Sequence, residues 1–170
     1  MTEILLARHG ETDWNAGRRV QGHTDIPLNA AGGDQARALA EELAAEPLAA
    51  VFSSDLSRAL DTATAVADLH GLDVTVDPRL REKNFGTWEG LTDIEIAERF
   101  PDAHRGQWGD GESTEEVAER VMRVLEDIRE LHPDGPVLVV SHGGPLRAAL
   151  HALAIEHGPI GNCAVFRASY

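Results

Sequence analysis

The sequence predicts an α/β fold: a three-layer α/β/α sandwich with a mostly parallel central sheet. Short apolar runs alternate with longer segments in which apolar residues recur every three or four positions. Such an alternation is typical of strands separated by helices that cover both faces of a sheet. At 170 residues the chain has the length of one domain, which we place at residues 1–170.

The first half of the chain holds three predicted strands and two predicted helices. The strands are apolar or alternating runs over 3–7, 49–54 and 73–77. The first helix, 28–46, follows a suitable N-cap residue, Asn29. Its apolar face consists of Ala36, Leu39, Ala40 and Leu43.

Capping residues mark the ends of the next two helices. A helix over 55–71 has Asp55 at its cap position and Gly71 where a left-handed residue ends it. Another, 92–100, opens with a Thr-x-x-Glu capping box and stops before Pro101. The region around it, from about residue 83 to 112, is rich in glycine and is the least regular part of the chain.

The second half repeats the alternation of helix and strand. A helix over 113–132 opens with another capping box, and strands are predicted at 136–140 and 162–168. Between those strands lies a helix over 144–154 with Pro145 in its first turn. The long helix carries an apolar stripe that we assign to the core: Val117, Val121, Val124, Ile128 and Leu131.

Composition excludes several classes of function. A formal net charge of −14 argues against a nucleic-acid partner, which requires a basic face. No run approaches the roughly 20 apolar residues of a membrane helix, and no signal peptide is visible, so we expect a cytoplasmic protein with no membrane partner. The single cysteine, Cys163, excludes an intramolecular disulfide and a cysteine-based metal cluster.

Two polar loops follow the best apolar strands, where ligands gather in α/β sheets. They are Arg-His-Gly-Glu-Thr at 8–12 and Ser-His-Gly-Gly at 141–144. Glycine beside each histidine lets the backbone approach a ligand and offer N–H groups to an anion. A lone histidine at a strand end is usually structural, but two in matching positions favour an anion site.

Arg58 and Glu82 extend this pattern. Arg58 lies in the first turn of its helix, just after a strand, so its guanidinium can point back to the same sheet edge. An arginine there opposes the helix macrodipole slightly, which indicates a role in ligand binding. Glu82, in LREKNFGTWEG, is on spacing alone better explained as a solvated surface acid.

Taken together, these segments resemble the histidine phosphatase superfamily, in the branch that includes cofactor-dependent phosphoglycerate mutases and many small-molecule phosphatases. RHGETDWN resembles the family's nucleophile signature, and QGHTDIPLNAAGGDQA its following loop and helix start. SSDLSRALDTA carries the matching arginine, LREKNFGTWEG the matching acid and VSHGG the second histidine. The matches run in family order from residue 4 to at least residue 150 and imply a phosphoglycerate mutase-like fold.

The resemblance implies a role for each motif residue. A neutral His9 would attack phosphorus and form a covalent phosphohistidine, with its other ring nitrogen held by a backbone carbonyl. Arg8, Arg58 and His142 would surround the phosphate oxygens. Glu82 would protonate the departing alkoxide and then deprotonate the attacking water. The remaining phosphate or substrate contacts would be Asn15, Thr12, Gln21, Gly22 and Gly143.

The resemblance implies neither a metal nor a cofactor, because the basic cluster neutralises the phosphate. The sequence also lacks the HExxH, GxxxxGK[ST] and GxSxG motifs of competing chemistries. Cys163 has Arg167 only four positions on, without the longer loop of cysteine phosphatases.

Three functions remain open. A phosphatase is favoured over a 2,3-bisphosphoglycerate-dependent phosphoglycerate mutase, because the family's mutases carry a longer, more basic insertion between acid and second histidine and a C-terminal extension over the pocket. Here only 59 residues separate Glu82 from His142, with Arg99 and Arg105 as the arginines before the long helix, and the chain ends at Tyr170. A non-catalytic phospho-ligand binding module would be expected to have lost His9 or Glu82.

The substrate is predicted only as a class: a small phosphate monoester such as a sugar phosphate, a phosphoglycerate derivative, phosphoserine or a nucleoside monophosphate. The pocket roof would be formed by Lys83, Trp88, His104 and Trp108. Lys83, the only lysine, either reaches a second anionic group of the substrate or lies in solvent. A homodimer is expected only because symmetric dimers are the commonest assembly.

Overall fold

The computed structural model describes residues 2–103 and 109–169. Within these ranges the chain forms five strands and six helices. The strands are β1 (Glu3–Arg8), β2 (Ala50–Ser53), β3 (Val74–Val76), β4 (Val137–Ser141) and β5 (Val165–Ser169). The helices are α1 (Asp13–Ala16), α2 (Ala30–Glu42), α3 (Ser57–His70), α4 (Asp93–Arg99), α5 (Thr114–Leu131) and α6 (Gly143–Ala152).

The five strands form one mixed sheet in the order β3-β2-β4-β1-β5. β1, β2, β3 and β4 are parallel, and only β5 runs antiparallel, against β1. β1 therefore has both of its neighbours in the C-terminal third of the chain, with Leu5 opposite Leu138 on one side and Leu6 opposite Phe166 on the other. Because β1 and β2 flank β4 in parallel, their carboxyl ends meet at one edge of the sheet.

Alternate residues of the strands face two separate apolar layers. Ile4 and Leu6 pack with residues of α5 and α6, whereas Leu5 and Ala7 pack with residues of α2 and α3. Helices thus cover both faces, which confirms the predicted three-layer sandwich. The α5 stripe is buried as predicted except at Leu131, which is 68% exposed because it lies in the last turn of the helix.

The capping signals mark most helix ends correctly. The side chain of Asn29 caps α2, capping boxes open α4 and α5, and Gly71 ends α3 at a φ of 65°. The prediction of Asp55 as the cap of α3 was wrong. The N-cap residue is Leu56, which makes no side-chain bond, and the Asp55 carboxylate instead accepts a 2.7 Å hydrogen bond from Arg81 Nε.

Two further differences lie beside β1. The helix α1 was not predicted; it is only one turn long and forms because Thr12 and Asn15 make a capping box. The last strand begins at Val165 rather than residue 162, because Cys163 has a φ of 56°, outside the range of a strand.

Candidate active site

The site lies at the sheet edge where β1, β2 and β4 end. His9, Ser54 and His142 are the residues that directly follow these three strands, and all are almost completely buried. The rings of His9 and His142 have centroids 5.0 Å apart. The two loops that the sequence singles out are therefore brought together, as predicted from the parallel strand order.

The backbone fixes which nitrogen of His9 is free. Nδ1 of His9 lies 2.6 Å from the carbonyl oxygen of Gly10 and donates its hydrogen to it, so Nε2 keeps a lone pair. Gly10 is held in turn, because its N–H donates to the Thr62 hydroxyl at 3.0 Å. Burial, with the charges of Arg58 and Arg8, lowers the pKa of His9 to about 3. The side chain is thus a neutral, oriented nucleophile.

Two guanidinium groups flank this imidazole, that of the half-buried Arg8 and that of the fully buried Arg58, and backbone carbonyls hold both. Arg8 Nη1 donates to Ile160 O at 2.7 Å. Arg58 Nη1 and Nη2 donate to Thr24 O at 2.9 Å and Gly22 O at 2.8 Å. Burial lowers the pKa of both arginines. The Nε atoms of both are buried and find no hydrogen-bond partner among the residues that the structure describes.

His142 is held by a hydroxyl rather than by a carbonyl. Its Nε2 lies 2.7 Å from Ser54 Oγ, and that oxygen also accepts from the N–H of Leu56 at 3.4 Å. We assign the serine hydrogen to the bond with Nε2, which places the ring hydrogen on Nδ1. Burial, with the proximity of His9 and Arg58, lowers the pKa of His142 well below its ordinary value.

Within residues 2–103 and 109–169, three buried side-chain nitrogens have no hydrogen-bond partner. They are the Nε atoms of Arg8 and Arg58 and Nδ1 of His142. Each carries a hydrogen, and each belongs to a motif residue. Buried donors are nearly always paired in folded proteins, so three unpaired donors around one imidazole indicate the place of an anion with several acceptor oxygens.

Glu82 lies at the N-terminus of α6, close to the guanidinium of Arg8. Its Oε1 accepts from the N–H of Lys83 at 2.8 Å and of Gly144 at 3.1 Å. A Cβ on Gly143 would lie 3.8 Å from Arg8 Nε and 3.9 Å from Glu82 Oε2, so only a glycine separates the acid from the guanidinium. The interpretation of Glu82 as a solvated surface acid was wrong.

Comparison with known protein families matches residues 4–169 to the histidine phosphatase superfamily, branch 1. The chain belongs to the histidine phosphatase superfamily. The match spans both histidine motifs, Arg58 and Glu82, and the observed fold is that of the family's phosphoglycerate mutase-like phosphatases.

Several histidine phosphatase relatives resemble the chain over nearly its whole length. It is 39% identical to glucosyl-3-phosphoglycerate phosphatase of Mycolicibacterium vanbaalenii, over 92% of this chain and 77% of that one. It is 43% identical to a metal-independent phosphoserine phosphatase of Arabidopsis thaliana, over 87% and 67%. It is 39% identical to a protein from an Enterobacter species called probable phosphoglycerate mutase GpmB, over 100% and 86%.

Solved structures of histidine phosphatases agree with the fold. A mycobacterial glucosyl-3-phosphoglycerate phosphatase complexed with VO3 superposes with a TM-score of 0.90 at 34% identity, covering 98% of this chain and 90% of that one. A phosphoserine phosphatase mutant from Entamoeba histolytica in complex with phosphoserine gives 0.83 at 29% identity, over 98% and 90%. Phosphatase activity is therefore supported for this chain, without a choice of substrate.

The remaining predicted contacts of this histidine phosphatase lie around α1. Thr12 is buried, and its hydroxyl donates to Gln21 Oε1 at 2.7 Å. Asn15 Oδ1 accepts from the N–H of Thr12 at 3.1 Å, which leaves the amide nitrogen as its donor end. Asn162 Nδ2 donates both to that oxygen, at 3.3 Å, and to His9 O, at 3.0 Å. Ligand contacts of Thr12, Asn15 and Gln21 stay predictions.

Sequence reasoning missed several residues that hold the site. Ser54 follows a strand directly, as both histidines do, and Thr62 lies four residues after Arg58 on the same helix, so position alone could have indicated both. Asn162 and Arg120 carry no such signal, because their contacts are made to backbone carbonyls distant in sequence.

The predicted roof is only partly described. Lys83 is 8% exposed, its Nζ lies 5.6 Å from the centroid of the Phe85 ring, and it borders a cavity of about 400 Å³ formed with residues 109–116. The alternative that Lys83 lies in solvent was therefore wrong. Trp88 is buried and stacks against Phe100 at 5.6 Å. His104, Arg105 and Trp108 lie outside the described residues.

Two further searches cover the described part of the chain only. There, no three histidine, cysteine, aspartate or glutamate side chains are grouped so that they could hold a metal ion. None of the helices described combines the length and the apolar character that crossing a membrane requires.

Proposed function

We propose that this histidine phosphatase is a phosphomonoesterase that hydrolyses a small phosphorylated metabolite through a covalent phosphohistidine on His9. The observation that carries the proposal is the set of three unpaired buried donors beside a neutral imidazole. A phosphoryl group would satisfy all three donors with its oxygens while its phosphorus faces a nucleophile.

In the first step, the Nε2 lone pair of His9 forms a bond to phosphorus, and the bond from phosphorus to the leaving oxygen breaks. Arg8, Arg58 and His142 stabilise the charge that moves onto the phosphoryl oxygens. Glu82, as a carboxylic acid, gives its proton to the leaving oxygen, so a neutral alcohol departs. The products of this step are the alcohol, phosphohistidine and the Glu82 carboxylate.

In the second step, the Glu82 carboxylate takes a proton from water as the water oxygen attacks phosphorus. The bond between phosphorus and His9 Nε2 breaks, inorganic phosphate is released, and both residues return to their starting states. The Gly10 carbonyl supports this reversal, because it accepts the Nδ1 hydrogen and so keeps Nε2 as the reacting nitrogen throughout.

The proposed reaction requires no metal ion or cofactor. The neutralising charge is supplied by the two guanidinium groups, which hydrogen bonds to backbone carbonyls hold in place. We expect activity to survive dialysis against EDTA. Loss of activity that is restored by added Mg²⁺ would contradict this part of the proposal.

The proposed substrate is a small phosphate monoester, and we would test acidic ones first. Glucosyl-3-phosphoglycerate and phosphoserine, which appear in the names of relatives, are phosphate monoesters that also carry a carboxylate. A panel of such esters, sugar phosphates and nucleoside monophosphates, compared by kcat/KM, would identify the preferred class.

Phosphate release from p-nitrophenyl phosphate, inhibited by vanadate, tests the proposal directly. His9→Ala should abolish turnover and the acid-labile phosphoenzyme seen after rapid quenching. His157→Asn is the matched control, because the exposed His157 also places Nδ1 against the next residue's carbonyl, at 2.8 Å, but lies outside the site. A phosphoenzyme that persists in His9→Ala would refute the proposed nucleophile.

Two further measurements, phosphoglycerate interconversion and vanadate binding, separate the alternatives. A mutase, as the name of the Enterobacter relative suggests for that protein, would interconvert phosphoglycerates in the presence of 2,3-bisphosphoglycerate. A non-catalytic binding module would bind vanadate but release no phosphate. The cytoplasmic location and the homodimer stay predictions, which cell fractionation and light scattering would test.

A further inference from the structure

The proposed acid lies on a stretch of irregular backbone. Residues 81–85 are neither helix nor strand and follow a single 3-10 turn, Pro78–Leu80. A proton donor must be held close to its working position, since a displacement of about 1 Å can reduce the rate about 100-fold. An irregular segment cannot hold a side chain this well without contacts from elsewhere in the fold.

Arg120, on α5, supplies such contacts to the backbone on both sides of the acid. Its Nη1 donates to Arg79 O at 2.5 Å and to Arg81 O at 2.7 Å. Its Nη2 donates to the carbonyl oxygen of Glu82 itself at 3.0 Å. One guanidinium thus holds three carbonyls within four consecutive residues.

Glu112 fixes the guanidinium in turn. Arg120 Nε donates to Glu112 Oε1 at 2.6 Å, and Nη2 donates to Oε2 at 2.9 Å. All five N–H donors of an arginine are therefore used. Glu112 also accepts from the N–H of Asn84 at 3.1 Å and donates its own N–H to Asn84 O at 2.8 Å. The pair is mostly buried, with side chains 18% and 17% exposed.

We propose that Arg120 is a positioning residue for proton transfer, and that it acts through the backbone of the segment that carries Glu82. This inference rests on the proposed role of Glu82 as general acid. Arg120 makes no hydrogen bond to His9, Arg8, Arg58 or His142, and its charge is the smallest of the causes that lower the pKa of His142, an effect that a lysine would retain. Its removal therefore weakens the step that requires a proton and spares substrate binding.

Arg120→Lys tests the inference, because the three donors of an ammonium group cannot replace the five hydrogen bonds of a planar guanidinium. The assay uses phenyl phosphates whose leaving groups range from p-nitrophenol, which needs little protonation, to p-methoxyphenol, which needs more. For Arg120→Lys we expect kcat/KM with the p-methoxyphenyl ester to fall about 10- to 100-fold. The p-nitrophenyl ester should lose less than about threefold in kcat/KM, which reports phosphoryl transfer to His9 and not the later hydrolysis that is common to all esters.

Arg123→Lys is the matched control, since Arg123 lies three residues on along the same helix and its side chain is 74% exposed. Arg123→Lys should not change how the rate depends on the leaving group. If Arg120→Lys does not fold, Glu112→Gln decides the question, because it removes the charge that orients the guanidinium but keeps the side-chain volume. A steeper dependence on the leaving group in Glu112→Gln supports the inference.

The inference and the proposed function fail in different ways. An equal loss with every ester, in whichever variant folds, would show that Arg120 only stabilises the fold and would overturn the inference. If Arg120→Lys gives such an equal loss while Glu82→Gln makes the rate depend more steeply on the leaving group, the role of Glu82 as the acid stands. If Glu82→Gln itself gives an equal loss with every ester, Glu82 is not the acid, and both proposals fall.

Discussion

The rings of His9 and His142 lie 5.0 Å apart, with their planes inclined at 56°, yet they offer opposite nitrogens to a ligand. The carbonyl of Gly10 engages Nδ1 of His9, and the hydroxyl of Ser54 engages Nε2 of His142. His9 therefore presents a lone pair, and His142 presents an N–H. One residue type has two chemical roles here because the hydrogen bond on the far side of each ring differs.

Ser54→Ala tests the origin of this difference. Without the hydroxyl, Nε2 of His142 can take the ring hydrogen, and Nδ1 no longer reliably donates to a phosphoryl oxygen. A hydrogen bond to a charged group contributes about 1.5–3 kcal/mol, so we expect vanadate to bind at least about tenfold more weakly. Ser53→Ala is the control, since the Ser53 hydroxyl donates to Ser54 O at 2.9 Å and does not touch His142. Equal vanadate affinities in the two variants would contradict this assignment.

Glu82→Gln should make turnover depend strongly on the leaving group. The amide cannot give up a proton, and general acid–base catalysis contributes about 10²- to 10⁴-fold, so we expect a loss in this range with p-methoxyphenyl phosphate. The loss with p-nitrophenyl phosphate should be much smaller in the first step, which a burst of nitrophenol would report. The exposed Glu115 provides a control as Glu115→Gln, for which both esters should react as in the parent.

Gly144→Ala should displace the acid without removing it. A Cβ on Gly144 would lie 2.3 Å from Glu82 Oε1, so the carboxylate must move away from the α6 N-terminus. We expect the p-methoxyphenyl ester to lose about 10- to 100-fold in kcat while the fold persists, as circular dichroism would show. Gly158→Ala is the corresponding control, because no atom of the described residues, its two chain neighbours aside, lies within 4 Å of its added Cβ. An unchanged kcat in Gly144→Ala would mean that the position of Glu82 is unimportant.

The low pKa of His9 predicts how stability depends on pH. Between about pH 6.5 and pH 3 the unfolded chain binds a proton at His9 that the folded chain, with its pKa of about 3, does not bind. Stability must therefore fall as pH falls through this range, by up to about 1.4 kcal/mol per pH unit for this group. His142 contributes in the same direction, because its pKa is also lowered.

His9→Asn should remove this contribution. Urea unfolding at pH 7, 6, 5 and 4 should give a shallower loss of stability in the variant than in the parent, with the largest difference in slope below pH 6. Vanadate or phosphate, added at each pH, should stabilise the parent. Parallel stability curves for the two proteins would show that His9 is not held neutral by the fold.

The parts of the site that could be predicted are those determined by strand order. Residues that directly follow neighbouring parallel strands must meet at one edge of the sheet, so the amino-acid pattern was enough to place His9 and His142 together. Arg58 followed from its place in the first turn of a helix after a strand. The family resemblance supplied what spacing could not, since Glu82 alone looked like a surface acid.

The parts that escaped prediction are those that depend on backbone groups. The carbonyls that orient His9, Arg8 and Arg58 belong to Gly10, Ile160, Thr24 and Gly22, and a carbonyl has no signature in a sequence. Asp55 looked like a helix cap because its spacing was right, but a nearby guanidinium formed stronger bonds with its carboxylate. Tertiary contacts of this kind override local preference.

The position of β1 between β4 and β5 has a consequence for biosynthesis. The strand that leads to His9 is translated before both of its neighbours in the sheet, which lie within residues 137–169. Until those residues have been synthesised, β1 has neither of its strand partners. Pairing between strands so distant in sequence is slow. The paired histidines of the site therefore cannot be assembled before β4 and His142 have been synthesised.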